Sequence, residues 1–139
     1  MLITWTSKDQ TGLDTNEEGD VFGHAVAAGD FNNDGFDDLA VSALGETVTP
    51  GVRSGKVYVF RGSASNLVTQ VTLDQSSLQT NDDLDGFGQR LGVGDWNNDG
   101  KHDLAVTATG LVSGAASNPM YLFKGSTSGP IAWQSLVVP

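Results

Sequence analysis

Two stretches of the sequence carry the residues best suited to chemistry. Residues 30–38 read DFNNDGFDD and residues 95–103 read DWNNDGKHD. Numbered from the first Asp, positions 1, 3, 5 and 9 are Asp30, Asn32, Asp34 and Asp38, and then Asp95, Asn97, Asp99 and Asp103. Position 6 is Gly35 or Gly100, where a tight turn is needed. Oxygen-bearing side chains alternating around a glycine turn suit a hard cation, because calcium takes about six to eight oxygens in a flexible shell. Position 7, Phe36 or Lys101, would offer only its backbone carbonyl, so its side chain is free to change. The expectation is about two calcium ions (Ca2+) per chain, one in each loop, with water completing each shell.

Three other readings compete. An EF-hand needs a bidentate Glu at position 12 and flanking helices. Here position 12 is Val41 or Val106, and the flanks read as strands. Magnesium prefers a tighter octahedron and keeps more of its water. A metal-free turn is also natural for Asn, Asp and Gly. In that case, however, three converging carboxylates would repel one another.

The elements that position these loops are themselves repeated. Laid over residues 80–110, residues 15–45 match at 17 of 31 positions, which excludes chance. Phe22-Gly23 recurs as Phe87-Gly88, and Phe31 becomes Trp96. After a loop that is two residues shorter in the second copy, Tyr58, Phe60, Arg61 and Gly62 meet Tyr121, Phe123, Lys124 and Gly125. Each copy reads as four short strands: His24–Gly29, Asp38–Ala43, Lys56–Arg61 and Val68–Leu73, then Gln89–Gly94, Asp103–Ala108, Met120–Lys124 and Ile131–Val137. Alternation in KVYVFR sets Val57, Val59 and Arg61 on one face and Tyr58 and Phe60 on the other. Glycines at both ends of the first two strands argue against helix. The N-terminal LITWTS resembles IAWQS at Ile131–Ser135, which predicts an extra outer strand over 2–7. The fold class is therefore all-β. One four-stranded unit lies within 15–73 and a second within 80–138, and together they make a two-unit segment over 1–139.

Composition narrows the function. The formal net charge is −10, and two divalent ions would bring it to −6. Such acidity excludes a nucleic-acid partner, which needs a basic face to displace counterions from phosphate. Cysteine is absent, so neither a disulfide framework nor a cysteine zinc site exists. No stretch is apolar enough for a membrane span, and MLITWTSKDQ has no basic region followed by an apolar run, so no signal peptide is visible.

No catalytic constellation emerges, and the expectation is a non-enzymatic protein. His24 becomes Gln89 in the second copy, and His102 stands where the first has Asp37. No serine has a base and an orienting partner in pattern. The pairs Glu17-Glu18 and Asp82-Asp83 occur in both copies, which favours a structural or surface role. Phe22, Phe87, Tyr58, Tyr121, Phe60 and Phe123 recur in equivalent places and are expected in the core between units. Trp5 and Trp133 are expected to pack on their own sheets, with sugar stacking as the alternative.

With Phe22-Gly23 and Phe87-Gly88 each followed by a DxNxDGxxDLAV run, the sequence resembles the FG-GAP repeat family in its bacterial form. Such repeats build the β-propeller of integrin α subunits and of many bacterial extracellular proteins. The resemblance implies blades of four antiparallel strands and a calcium in each hairpin between strands one and two. That places the ligands on Asp30, Asn32, Asp34, Phe36 and Asp38, and on Asp95, Asn97, Asp99, Lys101 and Asp103. The GAP element has drifted to AAG at Ala27–Gly29 and GVG at Gly92–Gly94. Family propellers have six or seven blades, so two leave apolar faces to cover. The segment either belongs to a longer propeller or forms a homo-oligomer of three or four chains per ring. The resemblance further implies an extracellular or secreted module for adhesion, binding a protein or a glycan. An accessory domain of a secreted enzyme and a lectin-like propeller are the alternatives. Ligand contacts are expected from the connections Asp9–Asp20, Asp74–Asp85, Gly45–Gly55 and Gly110–Pro119, in which Arg53 is the single cationic residue.

Overall fold

Short runs rich in Val, Phe and Tyr, closed by Gly and Asn turns, pair with their chain neighbours and give antiparallel meanders. The computed structural model describes Asp14 and residues 17–78, 85–112 and 115–136. The first meander joins β1 (Phe22–Gly29), β2 (Asp38–Ala43), β5 (Lys56–Arg61) and β6 (Val68–Leu73), paired in that order. The second joins β7 (Arg90–Gly94), β8 (Asp103–Thr107), β11 (Met120–Lys124) and β12 (Ile131–Leu136). These are the two four-stranded units expected from the sequence, and each forms one propeller blade. The expected outer strand over 2–7 lies outside the described residues, as do residues 79–84.

Two connections hold more structure than expected. Between residues 45 and 55, β3 (Thr47–Thr49) and β4 (Val52–Arg53) pair as a ribbon, and β9 (Gly110–Val112) pairs with β10 (Ala115–Ser117) as another. In the first, β-branched residues flank Pro50-Gly51, and Gly51 takes φ 84°, a pairing suited to a tight turn. A 3-10 turn, Gln75–Ser77, follows β6 and is capped by the Asp74 side chain.

The main core lies between the blades. Ala40, Val57, Val59 and Leu73 of the first blade pack with Phe87, Leu104, Val106, Tyr121 and Phe123 of the second. The Phe87 ring lies 5.4 Å from Tyr121 and 6.0 Å from Phe123, tilted on one and edge-on to the other, as aromatic quadrupoles prefer. Fully burying one such apolar side chain stabilises by about 1.5–3 kcal/mol. Val41, Ala43, Tyr58 and Phe60 form a second cluster on the opposite face of blade one, with Phe22 against Tyr58. The alternation read in KVYVFR thus divides β5 between the two clusters. Trp133 lies on edge strand β12 and is 38% exposed, and Trp5 lies outside the described residues. Among the described residues, no helix is long and apolar enough to cross a membrane.

Candidate metal centre

Each nonamer is the turn between the first two strands of its blade, Asp30–Asp38 between β1 and β2 and Asp95–Asp103 between β7 and β8. The backbone course is the same in both. Asn33 and Asn98 each have φ 58°, and Gly35 and Gly100 have φ 89° and 85°. Asn tolerates this left-handed region and Gly adopts it without strain, so the sequence NDG is what lets the chain coil inward.

Position 1 organises the coil. Asp30 accepts from the N–H of Asp34 at 3.1 Å and of Gly35 at 2.9 Å, and Asp95 accepts from Asp99 and Gly100 at the same distances. Position 9 ties the loop to the rest of the blade. Asp38 Oδ1 accepts from Gly62 N–H at 2.9 Å and Oδ2 from Phe31 N–H at 3.2 Å. Asp103 does the same with Gly125 at 2.9 Å and Trp96 at 3.0 Å. Both carboxylates are fully buried. Gly62 and Gly125 are required because a Cβ there would overlap the carbonyl oxygens of Asp37 and His102.

The remaining positions differ between the loops. Asp34 is held by Arg61 from the end of β5, with Nη2 at 2.6 Å and Nε at 2.9 Å. That guanidinium, helped by the Phe36 N–H, keeps the Asp34 carboxyl below its ordinary value. Asp99 is also lowered, first by the Lys101 N–H and further by Asn97 and the charges of Lys101 and Lys124. Burial pushes Asp38 up, and the negative charges of Asp34 and Asp30 add to that against the N–H groups of Gly62 and Phe31. Asn97 Oδ1 accepts from Asp99 N–H at 2.9 Å, whereas the buried Asn32 Oδ1 has no hydrogen-bond partner. Leaving such an acceptor unsatisfied costs on the order of 1–3 kcal/mol.

Among the described residues, no three His, Asp or Glu side chains stand together at metal-holding spacing. The structure therefore brings the predicted residues into one turn without converging their carboxylates on a point. The donor set nevertheless fits a hard cation. It is all oxygen, it contains an orphaned acceptor in Asn32, and the charges of Asp30 and Asp34 bear on the buried Asp38. Asp34 must leave Arg61 to contribute. Phe36 is 44% exposed and Lys101 is half-buried, so neither side chain blocks the turn.

Sequence reasoning missed two features. Arg61, in sequence simply part of a strand face, competes for Asp34. His102 does not repeat, yet its Nδ1 accepts from Asp30 N–H at 2.9 Å and its own backbone N–H donates to Asp30 O at 3.0 Å. It joins one loop to the other across the blade interface. The pairing of one loop with the next was the available signal, since Asp30 and His102 both lie in nonamers.

Comparison with known proteins now bears on this geometry. The FG-GAP repeat matches residues 22–60 and 87–122, each span beginning at the Phe-Gly pair and holding one nonamer. The chain belongs to the FG-GAP repeat family. It is 33% identical over 116 residues to phosphatidylinositol-glycan-specific phospholipase D of Rattus norvegicus, covering 79% of this chain and 14% of that protein. It is 36% identical over 114 residues to integrin alpha-PS5 of Drosophila melanogaster, covering 80% and 10%. Integrin alpha-4 of Xenopus laevis is 31% identical over 115 residues, with the same coverage. The chain spans about a tenth to a seventh of the length of these relatives. The FG signature has a physical reading: Phe87 is buried between the blades, and a Cβ on Gly88 would strike Ser42 of the preceding blade.

Proposed function

We propose that this FG-GAP segment is a calcium-stabilised, non-catalytic binding module of an extracellular protein, and that it completes its stack of blades with copies of itself. The observation that carries the reading is the use of the carboxylates. In both blades the nonamer's acidic side chains fasten backbone N–H groups of their own turn and of the turn after the third strand. That is architecture repeated in register, suited to a resident ion that stiffens a hairpin. Asp30, Asn32, Asp34, Asp38 and the Phe36 carbonyl would hold one ion, and Asp95, Asn97, Asp99, Asp103 and the Lys101 carbonyl the other. When bound, calcium supplies charge compensation and a rigid loop.

Ligand recognition is assigned to the opposite ends of the blades, where the β3–β4 and β9–β10 ribbons stand. These ribbons differ between the copies while the sheets beneath them repeat, as recognition segments do on a fixed scaffold. The integrin relatives favour a protein ligand, with a glycan as the competing class. The phospholipase relatives favour a second reading, in which the segment is an accessory domain beside a catalytic one.

Thermal unfolding in calcium and in excess chelator tests the metal. An ion that binds only the folded state stabilises by mass action, about 2.7 kcal/mol at a hundredfold excess over Kd. A clear rise in the melting midpoint with calcium is expected, and unchanged curves would sink the metal reading. Light scattering in calcium tests self-assembly, with three or four chains per particle expected. A single chain at every concentration would remove it.

A further inference from the structure

The contact by which blade one meets blade two has an unfilled counterpart at each end of the pair. At the filled contact, Phe31 is completely buried in the inter-blade core and its carbonyl lies against Gly125. Beside it, Asp30 and His102 exchange two hydrogen bonds, of 2.9 and 3.0 Å. One blade on, Trp96 holds the matching sequence position and is 49% exposed, with its indole over Gly94, whereas Gly29 in the first copy is covered by Val93 and His102 of blade two. Asp95 there presents the N–H and C=O that Asp30 commits to His102. One blade back, the equivalents of His102 and Gly125 are Asp37 and Gly62. They border an open recess of about 380 Å³, whose other walls include Phe36, Ala64, Asn66 and Leu67.

We propose that Trp96 of one copy seats in the recess beside Asp37 and Gly62 of a second copy, reproducing between chains the contact that Phe31 makes within one. The proposal rests on the self-assembly reading above and assigns its surfaces. The chemistry matches on both sides. Asp37 has a backbone N–H to donate to Asp95 O and a carboxylate to accept from Asp95 N–H, the two roles that His102 fills. Gly62 keeps the wall low enough for the Trp96 backbone to approach, as Gly125 does for Phe31. Burying the indole removes about 150–250 Å² from water. The two patches are different, so the contact is heterologous: each added chain leaves one Trp96 and one recess open until a ring closes.

That polarity supplies the experiment. Trp96→Ser removes the knob and Ala64→Arg fills the recess. Both residues are exposed, so melting midpoints matching the unassembled wild-type chain confirm folding. In calcium, wild type is expected to form multi-chain particles by light scattering and each variant alone a single chain. A 1:1 mixture of the two variants is expected to give a two-chain species and stop there, because it holds one intact knob and one intact recess. Wild-type assembly that survives Trp96→Ser at the same mass overturns this contact and leaves self-assembly standing. So does a variant mixture that stays single-chain while wild type assembles. A single-chain wild type overturns both.

Discussion

The two nonamers share a backbone and differ in what covers them. Phe31 and Asn32 are buried because the second blade closes over the first loop, whereas Trp96 and Asn97 are exposed at the end of the second. Burial has a chemical consequence. Asn97 turns its oxygen to Asp99 N–H, but Asn32 keeps a buried oxygen without a donor. A repeated sequence therefore yields unequal sites: neighbours set the solvation, and solvation sets which oxygens remain open to a cation.

The feature common to both loops is also the most costly to remove. Asp38→Ala and Asp103→Ala each strip two backbone N–H groups of their buried acceptor, and each unsatisfied group costs about 1–3 kcal/mol. Losses of several kcal/mol, similar in the two variants, are expected from denaturant midpoints. A loss at Asp38 alone would mean that the struts are unequal and that inter-blade burial sustains the first.

Next in size is the competition for the ion. Arg61 grips Asp34 directly, while Lys124 acts on Asp99 only through its charge. Arg61→Gln should therefore tighten calcium at the first loop by a few-fold, the modest scale of an exposed ion pair. Lys124→Gln should tighten the second loop less. In the wild type, Lys101 and His102 should leave the second loop weaker than the first, with its Phe36 and Asp37. Calorimetric titration of the single-site variants reads both orders, and a tighter second loop would reverse the comparison.

A smaller effect lies in the approach to the Phe-Gly pair. Val21 has φ 51° and is 53% exposed, and its counterpart in the second blade is Gly86 at φ 60°. A β-branched residue in that region is strained by roughly 1–2 kcal/mol. Val21→Gly gives up little burial and relieves the strain, offset in part by the greater freedom of glycine in the unfolded chain. A net gain of about 0.5–1 kcal/mol is expected, and a loss would show that the Val21 side chain contributes packing.

Much of this was legible in the sequence because repetition did the averaging. Strand positions, the division of β5 between two faces and the location of both turns followed from residues that recur, such as Tyr58 with Tyr121 and Asp38 with Asp103. Features that do not recur were hidden. His102 and the unpartnered oxygen of Asn32 depend on which blade lies next door, and the grip of Arg61 on Asp34 depends on side-chain geometry within blade one. The β3–β4 ribbon escaped for a different reason: two or three residues are too few to show a period.

Glu46 carries the comparison to the other end of the blades. Beneath the ribbons of blade two, Tyr121 donates to Gln75 Oε1 at 3.1 Å, and Gln75 Nε2 donates to Asp85. Burial, with Asp85 adding to it, pushes the Tyr121 hydroxyl up to about 12. In blade one the position matching Gln75 is Gln10, which lies outside the described residues. There the Tyr58 hydroxyl and Glu46 Oε2 are both buried and act on each other, the hydroxyl easing the Glu46 charge. Lys56 is 3.7 Å from the other Glu46 oxygen and makes its closer contact, 2.6 Å, with Asp14. Burial first, and then the charge of Asp20, raise the Glu46 carboxyl above 4.5 despite Lys56. A raised folded-state value means that ionisation opposes folding: the penalty is absent below 4.5 and grows as pH climbs through the folded value. Glu46→Gln should therefore melt above wild type at pH 7, and the two curves should converge as pH falls below 4.5. If wild type is the more stable at pH 7, the Lys56 pair outweighs the cost of burying the Glu46 charge.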